Sequence, residues 1–256
     1  MIHPSAIVHP EARLAPDVSV GPFAIIGSQV EIEAGTHIGS NVLIEGQTRI
    51  GRNNRIFPFA SIGAAPQDKK YAGEDTAVEI GEGNTIREYV TINRGTVQDA
   101  GATRIGDDNW IMAYVHFAHD CQIGSHTIFA NYCGLAGHVH VEDWAILGGM
   151  TLVHQFVRIG AHSFTSMGTY LSQDLPPYVT AAGNMAKPYG INSEGLRRRG
   201  FDADTIATLK LAYRALFRSG LSLQDARREL EGLAGGCGAV RPILDFLARS
   251  VRGIIR

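Results

Sequence analysis

One aliphatic residue recurs at every sixth position of this chain, and this period restricts the possible folds more than any other feature. The first series runs without a break through positions 2, 8, 14, 20, 26, 32, 38, 44, 50, 56 and 62. The period resumes at 80, 86 and 92, and again from 105 to 171, where Thr165 is the only polar member. A compact residue such as Ala or Val usually stands four places after the aliphatic one.

A period of six fits neither the 3.6-residue turn of a helix nor a long alternating strand. It fits short strands that are joined by tight corners and that each turn two side chains inward. Three such strands close a triangular coil, and successive coils stack at roughly 4.8 Å, so that every backbone pairs with its neighbours. The period therefore predicts a mainly β protein, a parallel β-helix in the form of a triangular prism of hexapeptide repeats.

The period is interrupted twice by polar segments that contain Gly and charged residues. We predict that these segments, near 63–76 and 93–102, are loops that leave the prism. With both segments looped out, residues 62, 92, 117, 135 and 153 occupy one slot in successive coils. The corners after them then form one column, which begins Gly63-Ala64 and Asn93-Arg94. Both loops and His119 lie on this column, which predicts a binding cleft along one edge.

A helical pattern replaces the hexads toward the end of the chain. Apolar residues at spacings of three and four run from Ile206 to Phe217, and Asp202 is placed to cap this helix. Two more helices are predicted at 222–233 and 242–251. We therefore divide the chain into a β-helix of residues 1–191 and a small α-helical C-terminal domain of residues 192–256. The latter holds 12 Lys and Arg against 7 Asp and Glu, so an acidic partner should dock there.

The composition, with 45% hydrophobic residues and a net charge of −2, is that of an ordinary globular protein. No run approaches the roughly 18 apolar residues of a membrane span, and the repeat begins at Ile2, which leaves no room for a signal peptide. Cys121, Cys133 and Cys237 form neither a metal-ligand pattern nor a disulfide framework. We expect a cytoplasmic protein with no nucleic-acid partner, membrane span or bound metal.

Seven of the ten histidines lie between His116 and His162, where the period is most regular. In the corner column His119 and Gly137 are direct neighbours, about one strand spacing apart. A base must reach the proton that it removes, and an oxyanion needs a free backbone N–H, so this pair suits acyl transfer. Asp120 could orient His119 or set its basicity. Two other interpretations are that the histidines are inert corner residues, or that several of them hold zinc.

Several segments outside the core slots carry a specific resemblance. They are residues 67–74, 86–96, 116–121 (HFAHDC), 135–139, 153–156, 173–178 and 194–201. Over nearly its whole length the chain closely resembles the acyl-carrier-protein–UDP-N-acetylglucosamine O-acyltransferases that begin lipid A synthesis. The resemblance implies a left-handed prism, an exception to the right-handed crossover rule. It also implies a homotrimer with active sites between adjacent prisms, and no cofactor.

The resemblance further implies transfer of a (3R)-3-hydroxyacyl group from acyl carrier protein to the 3-hydroxyl of UDP-N-acetylglucosamine. His119 would be the general base, the Gly137 N–H would stabilise the oxyanion, and Asp120 would assist His119. The residues that would line the sugar and acyl groups are Asp68, Lys70, His116, His138, His154 and Gln155. The residues that would hold the nucleotide end are Asn192, Glu194, Arg198 and Arg199.

Three positions differ from the family pattern or vary within it. Family members commonly have His where this chain has Asn93, a side chain that cannot be protonated. Met167 and Met185 stand where an acyl chain would lie, and other members have Gly at the position of Met167. We predict that Met167 shortens the acyl pocket and favours donors with about ten rather than about fourteen carbons.

Three other protein classes share parts of this pattern. The N-acyltransferase that acts later in the same pathway has a similar prism and histidine, but it carries a domain ahead of the coils, whereas the coils here start at Ile2. A γ-type carbonic anhydrase would bind zinc through histidines, and stoichiometric zinc would favour it. A non-enzymatic scaffold or ice-binding β-helix favours flat faces of repeated Thr, and none is evident here.

Overall fold

Three β-sheets form the three faces of a triangular prism, and this prism makes up most of the chain in the computed structural model, which describes residues 1–256. Consecutive strands fall on successive faces, so each strand pairs in parallel with the strand one coil earlier. Only the last strand, Lys187–Ile191, pairs antiparallel, with its hairpin partner Val179–Ala182. The arrangement is a parallel β-helix, as the six-residue period predicts.

Most strands are only two residues long because each face spans a single hexapeptide. The first face consists of Ile7–Val8, Ile25–Ile26, Leu43–Ile44, Ser61–Ala64, Thr91–Asn93, His116–Phe117, Gly134–Leu135, Leu152–Val153 and Tyr170–Leu171. The second face consists of Arg13–Leu14, Val30–Ile32, Gln47–Ile50, Ala77–Ile80, Ala102–Ile105, Gln122–Ile123, His140–Val141 and Arg158–Ile159. The third face consists of Ser19–Val20, His37–Ile38, Arg55–Ile56, Thr85–Ile86, Trp110–Ile111, Ile128–Phe129, Ile146–Leu147, Phe164–Thr165, Val179–Ala182 and Lys187–Ile191.

The periodic residues form the interior of the prism. On the first face the register aligns residues 62, 92, 117, 135 and 153 in successive coils, as predicted. These side chains belong to one core of 41 buried residues. The polar member of the series, Thr165, is tolerated because its hydroxyl lies 2.8 Å from the Thr151 hydroxyl and accepts a hydrogen bond from the Gly148 N–H.

In the coil before the first loop, the strand register differs from the sequence prediction by one residue. Ala64, rather than Gly63, lies opposite Asn93, because the register shifts after Ile62. Gly63 has a φ of 84°, and a Cβ there would lie 1.9 Å from the backbone oxygen of Glu45. Only glycine permits this bulge. The expectation that Gly63 and Asn93 share the corner column was therefore wrong.

Many corners contain a non-glycine residue with positive φ, a feature that the period did not predict. In the later coils these residues recur every six positions, at 114, 120, 126, 132, 138, 144, 150, 156 and 162. A left-handed backbone costs roughly 1–2 kcal/mol per residue. Ring stacking along an edge offsets part of this cost, about 0.5–1.5 kcal/mol for each pair. One stack of four rings is formed by Phe59, Tyr89, Tyr114 and Tyr132, with centroids 4.8–5.0 Å apart.

Four helices follow the last strand and, together with residues such as Tyr178 and Ile254, form a second core of 13 buried residues. They are α1 (Ser193–Arg198), α2 (Ala203–Phe217), α3 (Leu223–Gly236) and α4 (Arg241–Arg249), with a 3₁₀ turn at Gly238–Val240. The predicted cap Asp202 is confirmed, since it accepts from the Thr205 N–H, and Ser222 caps α3 by accepting from the Asp225 N–H. None of these helices has the length and apolar composition that crossing a membrane requires.

Helix α1 is fixed against the edge between the second and third faces. The Asn192 amide donates to the backbone oxygen of His162 and caps the helix by accepting from the Gly195 N–H. The Arg199 guanidinium lies 5.2 Å from the centroid of the Trp144 ring, and its Nη1 lies 3.4 Å from His162 Nδ1. Burial, together with the charge of Arg199, lowers the pKa of His162 to about 4. Helix α1 therefore docks on a neutral imidazole.

We predict that His162 makes the folded protein sensitive to acid. Because its pKa is about 4 in the folded state and about 6.5 when unfolded, the unfolded chain binds the extra proton as pH falls between these values. The free energy of unfolding should fall across this window by about 1–2 kcal/mol from this residue, after allowance for its partial exposure. Urea unfolding of His162→Phe at fixed protein concentration should show a smaller loss between pH 7.5 and pH 4.5 than the unchanged protein.

The matched control is His126→Phe, on the same edge and stacked on the other side of Trp144. An equal effect of the two substitutions would assign the acid sensitivity to histidines in general. Identical pH dependence in His162→Phe and the unchanged protein would contradict the prediction.

Candidate active site

The candidate site lies on the edge between the first and second faces, which we call the histidine edge. It comprises the corners 118–121, 136–139 and 154–157 and the two loops, 65–76 and 94–101. His119 and Gly137 occupy equivalent corners of adjacent coils. Two backbone hydrogen bonds hold these corners together, from Ala118 N to Leu135 O and from His138 N to His119 O, both 3.0 Å long.

Gly137 leaves the space that the His119 ring occupies. A Cβ at position 137 would lie 2.6 Å from His119 Cε1 and 2.7 Å from Nε2, so any other residue would displace the imidazole. The backbone N–H of Gly137 donates to no acceptor in the chain, and the same holds at the equivalent positions 119 and 155. The coil therefore leaves an N–H unpaired at each of these corners, and only at Gly137 does no side chain cover it.

A buried carboxylate holds the His119 imidazole. Asp120 Oδ2 lies 2.9 Å from His119 Nδ1, and the Asp120 side chain is fully buried. Its oxygens also accept from the Thr96 N–H at 3.0 and 3.1 Å and from the Thr96 hydroxyl at 2.7 Å. A carboxylate only accepts, so Nδ1 carries the proton and Nε2, which faces the Gly137 corner, keeps a free lone pair. His119 is thus arranged as a base.

A second imidazole–carboxylate pair adjoins the first. His138 Nδ1 lies 2.6 Å from Asp99 Oδ2. The His138 ring meets the His119 ring edge to face, with centroids 4.9 Å apart, and it stacks on Phe156 at 4.3 Å. These contacts fix the orientation of His138 beside the base.

His119, Asp120 and His138 could also be considered as metal ligands, since one atom from each lies within 4.8 Å of the others. The candidate atoms are already used in hydrogen bonds, however. Asp120 accepts from Thr96 and His119, and His138 Nδ1 is bonded to Asp99. A metal would have to replace this whole network, so the geometry favours a hydrogen-bonded base over a zinc site.

The histidine edge opens into a cleft of about 1070 Å³. Seven of the predicted site residues line it, namely Asp68, Lys70, His116, His119, Gly137, His138 and Gln155. His116 Nδ1 lies 2.7 Å from the Thr91 hydroxyl, and burial lowers the pKa of His116, so the ring is neutral near pH 7. Asp120 lies behind His119 rather than in the wall of the cleft. His154 adjoins Gln155 but does not line the cleft, and its Nδ1 lies 3.2 Å from the backbone oxygen of Gln155.

The first loop is held over the cleft by residues of the second. Arg94 donates through Nε to the Tyr71 hydroxyl at 3.0 Å, and its guanidinium lies 5.4 Å from the centroid of that ring. The Asn93 amide donates to Ala65 O at 3.0 Å. Asn93 therefore anchors the start of the loop that carries Lys70.

The remaining predicted site residues lie on the other two edges of the same chain. Asn192, Glu194, Arg198 and Arg199 belong to or adjoin helix α1, at the edge between the second and third faces. Glu194 forms ion pairs with Arg197 and Arg198. Met167 lies in the corner between the third and first faces with 78% of its surface exposed, and Met185 is 53% exposed in the last hairpin. One chain alone does not bring these groups to the histidine edge.

Several residues of the cleft escaped the sequence analysis. Thr96 and Asp99 lie in a loop that the period leaves undefined, and Arg158, Arg249 and Arg252 line the cleft from its far end. The hexapeptide register does place Arg158 outward on the second face, but it gives no reason to select it. Arg249 and Arg252 lie near the end of the chain and reach the cleft through tertiary contacts that the six-residue period does not predict.

Comparisons with known proteins agree with this geometry. The family model described as "Udp N-acetylglucosamine O-acyltransferase; Domain 2" matches residues 174–255, and the model "Bacterial transferase hexapeptide (six repeats)" matches residues 102–137. The acyl-[acyl-carrier-protein]–UDP-N-acetylglucosamine O-acyltransferase of Janthinobacterium sp. is 58% identical over 260 residues, with 100% of this chain and 99% of that protein covered.

Solved structures give the same result. LpxA from Acinetobacter baumannii superposes with a TM-score of 0.98 and 46% identity, covering 100% of this chain and 99% of its own. The UDP-N-acetylglucosamine O-acyltransferase from Moraxella catarrhalis superposes with a TM-score of 0.97 and 46% identity, with the same coverage. These matches support the left-handed sense of the β-helix and favour the acyltransferase interpretation over a carbonic anhydrase. The chain belongs to the acyl-[acyl-carrier-protein]–UDP-N-acetylglucosamine O-acyltransferase family.

Proposed function

We propose that the protein transfers a (3R)-3-hydroxyacyl group from acyl carrier protein to the 3-hydroxyl of UDP-N-acetylglucosamine, the first step of lipid A biosynthesis. One observation carries the proposal beyond family membership. The imidazole of His119, held by Asp120, faces the unpaired N–H of Gly137 in an open cleft. A base and an oxyanion donor on either side of one carbonyl are what acyl transfer from a thioester requires.

In the proposed reaction His119 Nε2 removes the proton from the sugar 3-hydroxyl while the oxygen attacks the thioester carbonyl carbon. The imidazolium that forms is stabilised by the Asp120 carboxylate, whose position is set by Thr96. The carbonyl oxygen becomes an oxyanion and accepts from the Gly137 N–H. When the tetrahedral intermediate collapses, the C–S bond breaks and the leaving thiol takes the proton from His119. The imidazole is then neutral for the next cycle.

The other cleft residues are proposed to bind the two substrates. Lys70 and Asp68 come from the anchored loop, and His116, His138 and Gln155 come from the histidine edge. We also assign His154, which adjoins Gln155 in the sequence, to the substrate-binding residues. No cofactor is required by this scheme, because His119 both removes and returns the only proton that moves.

We also propose that the protein acts as a homotrimer. The base lies on the histidine edge, the nucleotide-binding candidates Asn192, Glu194, Arg198 and Arg199 lie on a second edge, and Met167 lies on the third. A three-fold arrangement of prisms joins different edges of neighbouring chains by one repeated interface. A complete site would then contain His119 from one chain and Arg198 from the next.

The cytoplasm is the proposed location. The supporting observation is that Cys121 and Cys133 are buried free thiols, and burial raises their pKa values to about 12 and about 11, so that both remain protonated. Unpaired structural thiols of this kind fit a reducing compartment.

The central test is the substitution His119→Ala. We expect turnover with hydroxyacyl carrier protein and UDP-N-acetylglucosamine to fall by about 10²–10⁴-fold, because a positioned general base contributes on that order. Circular dichroism and the thermal midpoint should be unchanged, since the side chain lies outside the prism core. His126→Ala, one corner further along the chain, is the matched control and should keep its activity. Full activity in His119→Ala would remove this residue from the mechanism.

The trimer proposal is tested by mixing two impaired chains. His119→Ala and Arg198→Ala should each be weakly active at subsaturating UDP-N-acetylglucosamine. Co-expressed in equal amounts, they should recover about a quarter of the normal activity, because a quarter of the interfaces then combine intact His119 and intact Arg198. If each chain holds a whole site, the mixture will be no more active than the average of the two variants.

The acyl-pocket proposal is tested with a series of donors. Met167→Gly should raise kcat/KM for a fourteen-carbon donor relative to a ten-carbon donor by at least about 10-fold, because removing the side chain lengthens the pocket. Met112→Ala changes a methionine on the same edge several coils away and should leave the ratio unaltered. A preference of the unchanged protein for the longest donors would refute the role of Met167.

A further inference from the structure

Three arginines from distant parts of the sequence meet at one rim of the active-site cleft. Arg158 begins a strand of the second face directly after the last corner of the histidine edge. Arg249 ends helix α4, and Arg252 lies three residues beyond it. All three line the cleft that also contains His119 and Gly137.

A buried carboxylate fixes the segment that carries two of these arginines. Asp174 is fully buried, and its oxygens accept from the Ser250 hydroxyl at 2.6 Å and from the Arg158 backbone N–H at 2.8 Å. The Asp174 backbone bonds on both sides to the same segment, from Asp174 N to Gly253 O and from Ile255 N to Asp174 O, at 3.0 Å each. The end of the chain is therefore held against the strand that Arg158 begins.

The positive charge at this rim is only partly neutralised. Arg249 pairs with Glu142 at 2.8 Å. Arg158 and Arg252 form no ion pair, and Arg252 reaches only the backbone oxygen of Ser172, at 3.3 Å. Guanidinium groups that line a cleft without a carboxylate partner favour an anion in front of them, because charge-assisted hydrogen bonds to an anion are strong.

Asp174 does not supply the missing acceptor. Both of its carboxylate oxygens already accept hydrogen bonds from Arg158 N and Ser250, and burial raises its pKa, although the nearby charges of Arg158 and Arg252 oppose this shift. His140, the neighbour of Arg158 on the second face, has its pKa lowered by burial and by Arg158. The rim is therefore a cationic pocket in which Arg158 and Arg252 have no carboxylate partner.

The position of this rim indicates which anion it binds. From Gly137 the chain runs three residues to His140, and Arg158 lies one coil further, so its Cα is within roughly 10–15 Å of the oxyanion donor. The acyl chain and the pantetheine arm leave a thioester in opposite directions. The far end of the pantetheine arm carries a phosphate. Guanidinium groups bind phosphate oxygens in bidentate fashion.

We propose that Arg158, Arg249 and Arg252 bind the phosphate of the donor's phosphopantetheine arm. This inference rests on the proposed function, because it takes an acyl carrier protein as the donor. It assigns to the end of the chain a direct role in substrate binding. It also assigns Asp174 a positioning role, since this residue ties the segment with Arg249 and Arg252 to the strand of Arg158.

The test compares three donors that carry the same hydroxyacyl group: the carrier protein, acyl-phosphopantetheine, and acyl-pantetheine without phosphate. In Arg158→Gln and in Arg252→Gln, kcat/KM should fall about 10-fold for the two donors with phosphate, equivalent to about 1.4 kcal/mol. It should not change for acyl-pantetheine. Arg158→Lys should recover part of the loss, because it keeps the charge without the bidentate geometry. The KM for UDP-N-acetylglucosamine should stay constant.

The matched control is Arg13→Gln, which removes an arginine from the far end of the same face, where it pairs with Glu31. An equal loss with acyl-pantetheine would show a merely structural effect and overturn the proposal. A loss confined to the carrier protein would mean that the arginines meet its carboxylates, and a raised KM for the nucleotide sugar would mean that they bind its diphosphate. Either result, or no loss, would refute phosphate binding. If the unchanged protein uses none of the three donors, the result contradicts the proposed function itself rather than phosphate binding by these arginines.

Discussion

The backbone ladder between successive coils is the constraint on which the rest of this structure depends. Because each short strand pairs with the strand one coil earlier, equivalent side chains in adjacent coils stay about one strand spacing apart. The ladder leaves certain corner N–H groups unpaired, and at Gly137 the missing side chain exposes such a group to the His119 ring. The fold thus supplies a base and a donor at a fixed separation, and the loop residue Thr96 contributes only indirectly, by holding Asp120.

Much of this arrangement could be predicted from the sequence because it repeats. The six-residue period identified the core slots, and two interruptions of the period identified segments that leave the coils at one edge. Counting slots across those interruptions then placed His119 beside Gly137, and the structure places them in adjacent corners. The resemblance to known acyltransferases added the reaction and the left-handed sense, which periodicity alone does not contain.

The features that escaped prediction are those that do not repeat. The bulge at Gly63 depends on a close approach to Glu45, which no pattern in the sequence records. Asp99 reaches His138 from a loop, and Arg252 reaches the cleft from the end of the chain. The left-handed corner residues do recur every sixth position, but they are aromatic, His, Asp or Met rather than Gly, so the usual signature of positive φ is missing.

The stacked coils also define how distances along this molecule can change. Insertion or deletion of one whole coil would translate everything beyond it by about 4.8 Å, with no rotation between the faces and with every interior slot still filled. A coil gained between His119 and Met167 would therefore extend the path between them by a fixed step while leaving both local environments intact. Chains of this architecture can vary the length of substrate they accommodate in discrete units, through events that leave the packing rules of the prism untouched.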